Sequence, residues 1–273
     1  MISKTFHYVY IYNEATPMPL DINHYICIAS QIIVNRPSKV VIHTNNYEQF
    51  FEFPWMSKLM SDFGNIIQID CIDRVTNYQG NFITSPIQES DIYRFSLLRD
   101  YGGCYADMDV LAISPIPKEM WESNKCIQGI EPWKDKFLAP RALGSAFIMS
   151  PKKEKPSDIH WMDVVLKPYE NYDKEIEKGR FELPIFNPYR QALKNPELVD
   201  IKQPEVFFPL YFYYEDCARL FLNDRFAQVS ENTLQIHLWE NRTRGLIKYC
   251  NAEYFKTSNA TYAQLVRRLN IDL

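Results

Sequence analysis

The chain is poor in glycine, with 8 among 273 residues, and none of them form a GxGxxG or Walker pattern. That excludes the backbone cradles by which dinucleotide-binding and P-loop folds hold phosphate groups. A nucleotide bound here has to be held by strand ends, side chains and a metal ion. The six cysteines, Cys27, Cys71, Cys104, Cys126, Cys217 and Cys250, contain no CxxC pair. This argues against zinc ligation and for buried free thiols. There is no basic excess either: 30 Lys and Arg stand against 34 Asp and Glu, a net charge of -4. Bulk electrostatics therefore offer nothing to a nucleic acid. No apolar run approaches the length of a transmembrane segment, and MISKTFHYVYIYNE lacks the hydrophobic centre of a signal peptide. The expectation is a soluble, cytoplasmic protein. Repeats and low-complexity linkers are absent too, so one domain is expected over residues 1–273.

What is present is core material. Hydrophobic residues make up 46% and aromatics 15%, including 18 Tyr and 17 Phe. Phe6 to Tyr12, Val40 to His43 and Ile66 to Cys71 read as strands. Between them lie a helix capped by Asp21, with Ile22, Ile26, Ala29 and Ile33 at helical spacing, and a second helical piece from Trp55 to Phe63. This β-α-β-α-β order opens a parallel, doubly wound α/β sheet, in which ligands gather at the carboxyl ends of strands. Further strands are expected at Lys125 to Ile130, Leu143 to Ser150 and Leu234 to Trp239. An amphipathic helix through Tyr262, Leu265, Val266 and Leu269 follows them.

The chemistry concentrates in SPIQESDIYRFSLLRDYGGCYADMDVLAISP, Ser85 to Pro115. Ser85 stands as an N-cap with Pro86 at the first helical position, Gln88 falls where a capping box needs it, and Gly102 can end the helix. At 100° per residue Ile87, Leu98 and Tyr101 share an inner stripe, with Glu89, Ser96 and Asp100 opposite. Asp91 and Arg94 fall on the inner stripe, either as an ion pair at its edge or as groups reaching into a polar pocket. Asp107 and Asp109 end the following strand, where alternation puts both carboxylates on one side, a pair of oxygen ligands suited to Mg or Mn.

The full string, SDxxRxxxLxxxGGxYxDxD, is carried by Ser90, Asp91, Arg94, Leu98, Gly102, Gly103, Tyr105, Asp107 and Asp109. It resembles the DxD region of retaining glycosyltransferases, the group that includes the yeast initiating α-mannosyltransferase, the α-1,4-galactosyltransferases and, more distantly, the clostridial glucosylating toxins. The close resemblance covers about 30 residues. It implies a GT-A fold: a single domain with a Rossmann-like mixed sheet flanked by helices. Residues 1–115 would be the nucleotide-sugar-binding half, and 116–273 the acceptor side with a C-terminal metal and diphosphate element. It implies Mn2+ (or Mg2+) on Asp109, with Asp107 acting on the ribose or through water. Asp91, Arg94 and Tyr105 would lie against the donor. His7 and Tyr10 match a His and a Trp near the family's start; Tyr10 is either a base-stacking ring or a core aromatic.

Ser145, in GSAFIMSPK, stands where the family often has an amide near the donor sugar. IHLWEN, with His237 and Trp239, resembles the HxWN element of the galactosyltransferases. This makes His237 a candidate third metal ligand and Trp239 a phosphate donor. Arg242, Arg244 and Lys248 follow, either neutralising the diphosphate or solvating a loop. Glu131, Trp133 and Asp135 are acceptor-side candidates on a loop after a strand. The implied reaction moves a hexose from a nucleotide sugar, with UDP-glucose and UDP-galactose ahead of GDP-mannose, to a glycan, lipid-linked or protein acceptor. Two other classes stay open: a non-catalytic nucleotide or glycan binder, and a metal-dependent phosphotransferase or hydrolase.

Overall fold

A computed structural model describes residues 1–15, 18–83, 85–132, 141–172, 179, 181–210, 213–224 and 229–273, with Asp216 described by its backbone alone. The opening strands form as expected: β1 Thr5–Tyr10, β2 Lys39–Thr44 and β3 Ile67–Cys71, all parallel. β2 is buried on both faces apart from Lys39, which explains its near-continuous apolar run. Helix α1 (Ile22–Asn35) begins at a capping box in which the Asp21 side chain accepts the Asn23 N–H and His24 serves the Asp21 N–H. Short helices α2 (Tyr47–Glu52) and α3 (Pro54–Phe63) lead into β3. A hairpin, β4 (Asn77–Tyr78) and β5 (Asn81–Phe82), precedes the long helix α4 (Pro86–Tyr101).

From α4 the chain re-enters the sheet as β6 (Gly103–Ala106), on the other side of β1 and parallel to it. A short strand β7 (Val110–Ala112) and helix α5 (Lys118–Trp121) lead to β8 (Cys126–Ile130) and β9 (Leu143–Ser150). Strand β9 runs antiparallel to both β6 and β8. Helix α6 (Trp161–Leu166) then precedes β10 (Val199–Lys202), which pairs with β8. The seven-stranded sheet reads β10-β8-β9-β6-β1-β2-β3, a mixed sheet drawn from both halves of the chain. Strand β11 (Gln235–His237) pairs separately and antiparallel with β7. Helices at Glu240–Ile247, Ala252–Thr257 and Thr261–Arg268 close the chain. No helix among the described residues is long and apolar enough to cross a membrane.

Apolar cores cover both sheet faces. One joins Phe6, Tyr8 and Ile42 to α1 and the C-terminal helices. The other packs Ile92, Phe95 and Leu98 of α4 against Tyr105, Ile148 and Trp161. Each such apolar side chain contributes roughly 1.5–3 kcal/mol of burial.

Helix α4 corrects the expected faces. Ile87 and Tyr101 are 62% and 63% exposed, whereas Glu89 is buried. The inner face is instead Asp91, Ile92, Arg94, Phe95 and Leu98. Glu89 tolerates burial because its oxygens are matched by donors: Arg74 Nε at 2.8 Å and the Val75 N–H at 2.7 Å. Ser85 has the backbone of an N-cap but its hydroxyl makes no cap bond, and Gln88 accepts from the Tyr172 hydroxyl instead of closing a capping box. Gly102 ends the helix as expected, at φ 67°, its N–H donating to the Leu98 carbonyl at 3.1 Å.

Candidate metal and donor site

Strand order reverses between β1 and β6: the chain leaves β1 toward β2 and β3, then returns on the opposite flank. Beyond the carboxyl ends of such a pair the flanking loops diverge and leave a crevice. The DxD lies there, but not on a strand as the alternation argument expects. Strand β6 ends at Ala106, and residues 107 to 110 turn, the Val110 N–H donating to the Asp107 carbonyl at 3.1 Å. The Asp107 N–H donates to the Ala146 carbonyl at 2.8 Å, which pins the turn to β9. The turn, rather than strand alternation, brings the two carboxylates to one side.

Helix α4 supplies the cation beside them. Arg94, 5% exposed, places Nη2 3.2 Å from Asp107 Oδ1 and Nε 3.4 Å from Asp91 Oδ1. Its Nη1 donates to the Ser145 carbonyl at 2.8 Å and to the Ser145 hydroxyl at 3.0 Å. The guanidinium lies 4.6 Å from the Tyr105 ring centre, and the Tyr105 hydroxyl donates to Asp107 Oδ1 at 2.6 Å. Asp91 and Arg94 do form an i,i+3 ion pair, and both are buried, with Arg94 also turned toward Asp107. Arg94 and Tyr105 both use Asp107 Oδ1, which leaves its second oxygen to the crevice.

The third side of the site comes from the far end of the chain. Pairing of β11 with β7 sets His237 opposite Val110, and the Leu238 N–H donates to the Asp109 carbonyl at 2.9 Å. His237 Nε2 then lies 3.2 Å from Asp109 Oδ1. One ligand-capable atom from each of Asp107, Asp109 and His237 lies within 4.8 Å of the others. Two carboxylate oxygens and an imidazole nitrogen form a donor set able to hold a metal ion. Trp239 adopts the left-handed conformation, φ 56° and ψ 51°, and this turn aims the Glu240 N–H at Asp109 Oδ2, 2.9 Å away. The Trp239 ring packs on His237 with centroids 4.1 Å apart.

Charge is graded across the site. Burial pushes the Asp107 carboxyl up, and Arg94 only partly offsets it. Burial acts on Asp109 too, but His237, the Glu240 amide and His24 outweigh it and hold that carboxyl at about 2. Burial would lower His237, yet Asp109, Asp107 and Glu131 raise it. Asp91 is pushed up to about 7 by burial, against the pull of Arg94.

Among the predicted residues, Asp91, Arg94, Tyr105, Asp107, Asp109, Ser145, His237 and Trp239 come together. Tyr10 does not join them: it is 2% exposed, edge-on to Phe50 and Phe53, and its hydroxyl donates to the Met18 carbonyl at 2.9 Å. That is the core-aromatic alternative. His7 bonds His43 at 3.0 Å within the sheet. Glu131 is buried at the end of β8 on the His237 side, whereas Trp133 and Asp135 lie outside the described residues. Arg242, Arg244 and Lys248 are exposed on the helix Glu240–Ile247 and just beyond it. Glu240 escaped the sequence reading, because no residue pattern announces a backbone amide as a partner.

Comparison with known proteins agrees with this geometry. Residues 22–128 match the family model described as a glycosyltransferase sugar-binding region containing a DXD motif. The chain is 20% identical over 274 residues to glucan organizing enzyme 1 of Cryptococcus neoformans var. grubii serotype A, covering 98% of this chain and 70% of that protein. Among solved structures it is similar to the glycosyltransferase GlyE of Streptococcus pneumoniae TIGR4, with TM-score 0.53 and 11% identity over 100% of this chain and 61% of that one. It thus spans less than two thirds of GlyE. Mouse xyloside xylosyltransferase 1 is similar at TM-score 0.51 and 11% identity, over 85% of this chain and 97% of that one. The chain has a GT-A-type fold carrying a glycosyltransferase-like DxD region, with an acidic and histidine cluster able to hold a metal at its centre.

Proposed function

We infer that the chain is a metal-dependent, retaining glycosyltransferase that moves a hexose from a nucleoside-diphosphate sugar to a hydroxyl of a glycan or other acceptor. UDP-glucose or UDP-galactose is the favoured donor. The observation that carries this reading is the convergence of Asp107, Asp109 and His237 within 4.8 Å, beside a buried Arg94.

As the bond to the sugar breaks, negative charge collects on the departing diphosphate. A divalent cation, when bound, supplies Lewis-acid neutralisation of that charge. Asp109 and His237 would hold it directly, and Asp109 is suited to that role because it stays ionised. Asp107, steered by Arg94 and Tyr105, keeps one oxygen for the ribose or for a water on the ion. Arg94 and Asp91 back the donor sugar, with Ser145 as the contact from β9. Retention of configuration is carried over from the family resemblance, and with it a front-face route in which the leaving phosphate takes the acceptor's proton.

The test is a panel of UDP- and GDP-sugars with Mn2+ or EDTA, read by nucleoside diphosphate release and by NMR of the product anomer. The expected result is Mn2+-dependent release from one donor, lost in Asp109→Ala. Release of inorganic phosphate in place of nucleoside diphosphate, or full activity of Asp109→Ala, would overturn the reading.

A further inference from the structure

Helix α1 starts with an unusual capping box. The third helical position normally carries Glu or Gln, whose side chain returns to the N-cap amide. Here it carries His24, which does that and has a second ring nitrogen left over. His24 is 2% exposed, so no water competes for it. Nδ1 lies 3.0 Å from both the Asp21 N–H and Asp21 Oδ1, and Nε2 lies 3.1 Å from Glu240 Oε2. A neutral ring accepts the Asp21 amide at Nδ1 and carries its proton on Nε2. An imidazolium donates to Asp21 and again carries a proton on Nε2. In both states Nε2–H donates to Glu240, so the grip on Glu240 is independent of which state prevails. A Glu at position 24 would satisfy the cap and set a third carboxylate against Asp21 and Glu240.

Glu240 is the residue whose main-chain N–H holds Asp109 Oδ2, at 2.9 Å. Its side chain is thus anchored to α1 while its backbone grips the acidic pair. The anchor has a strained turn to restrain. Trp239 sits at φ 56°, a conformation that costs a non-glycine residue on the order of 1–2 kcal/mol. A second tie runs alongside: the Asn23 amide donates to the Ile247 carbonyl at 3.4 Å and accepts from the Tyr262 hydroxyl at 3.0 Å.

We propose that His24 is a positioning residue of the metal site: through Glu240 it holds the Trp239–Glu240 turn so that the Glu240 amide and His237 meet Asp109. The proposal rests on the reading of Asp107, Asp109 and His237 as cation ligands. Partners that orient ligating groups typically change metal affinity by about 10–100-fold when removed.

The experiment titrates the full chain with Mn2+ alone, following free Mn2+ by EPR, and measures hydrogen exchange at the Glu240 amide without metal. His24→Phe and Glu240→Ala are each expected to weaken Mn2+ binding about 10-fold and to speed exchange at that amide. The double variant should be no worse than either single one. His24→Gln, whose amide N–H can still donate to Glu240, should recover most of the affinity, which a general packing defect would not allow. Unchanged Mn2+ affinity in both single variants, additive losses, or no rescue by Gln would overturn the proposal. If His24→Phe fails to fold, Glu240→Ala decides, because it cuts the same link at the first position of a surface helix. If the parent chain binds no Mn2+, the metal reading fails. Amide exchange then still decides whether His24 holds the turn, and exchange unchanged from the parent sinks that too.

Discussion

Replacing Arg94 by Met keeps the buried stem and removes the charge. The loss is large because Arg94 is shared. It faces Asp107 at 3.2 Å and Asp91 at 3.4 Å, makes two hydrogen bonds to Ser145, and lies over the Tyr105 ring. Removing one partner of a buried ion pair costs about 3–5 kcal/mol, because the other charge stays buried without compensation. Two carboxylates lose their cation here; Asp107 keeps the Tyr105 hydroxyl, but Asp91 has little access to water. Its escape is to take a proton. Burial already lifts Asp91 to about 7, and Arg94 is the group pulling it down, so the variant's value rises further.

The sign follows from linkage. A carboxyl whose folded value lies above its unfolded value stabilises the fold fully below the unfolded value, near 3.9, and loses that contribution as pH rises through the folded one. Each further unit gained by Asp91 adds about 1.4 kcal/mol to the pH-dependent loss. Arg94→Met should therefore be destabilised by about 3–5 kcal/mol in urea melts at pH 8, and clearly less at pH 5. Asp91→Asn added to Arg94→Met should restore part of the pH 8 stability and flatten the dependence. A loss below about 1 kcal/mol at pH 8, or one equal at both pH values, would refute the reasoning, since it would mean the guanidinium does not compensate either acid.

Three further outcomes are expected. Gly102→Ala should cost about 1–3 kcal/mol in denaturant melts, because φ is 67° and a Cβ would meet the Lys152 nitrogen at 2.6 Å. Ser30→Ala should cost about 1–3 kcal/mol by the same measurement, since the buried Ser30 hydroxyl is the acceptor for the Ala112 N–H of β7 at 2.9 Å. His7 is held neutral, first by burial and then by His43, at about 4. Its contribution is present above pH 6.5 and lost as pH falls through 4, so His7→Gln should lose less stability than the parent chain between pH 7 and pH 4.5.

The sheet was legible because its opening strands are rich in β-branched and aromatic residues and alternate with segments of helical spacing, which is the pattern of a β-α-β-α-β opening. The candidate metal site was legible in part because SDxxRxxxLxxxGGxYxDxD packs its polar groups into one helix, one strand and one turn. Where the reading failed, a local rule was overridden by a distant partner. Helical periodicity assigned Glu89 to the outside, but Arg74 and the Val75 amide make its burial affordable, while Ile87 and Tyr101 are left in solvent. Alternation along a strand was the wrong reason for the convergence of Asp107 and Asp109: a turn achieves it, pinned by the Ala146 carbonyl from a strand that occurs later in the chain. Ser85 and Gln88 had the right spacing for a capping box, yet Gln88 was claimed by Tyr172.

The late element shows why such overrides cluster at the site. His237 could be nominated from the resemblance of IHLWEN to the HxWN element, but its aim depends on Trp239 holding a left-handed conformation that tryptophan does not favour. Local contacts hold its carbonyl, which accepts from the Arg242 and Thr243 N–H groups, but the turn is also tied to distant segments: to Asp109, 130 positions earlier in the chain, and to His24 through Glu240. A site built this way can keep two acids of unlike ionisation a few ångströms apart, Asp109 held low by donors and Asp107 lifted by burial, because each is gripped by a different sequence segment. Local propensity carries no signal for this arrangement, since every one of its elements taken alone would relax to something else.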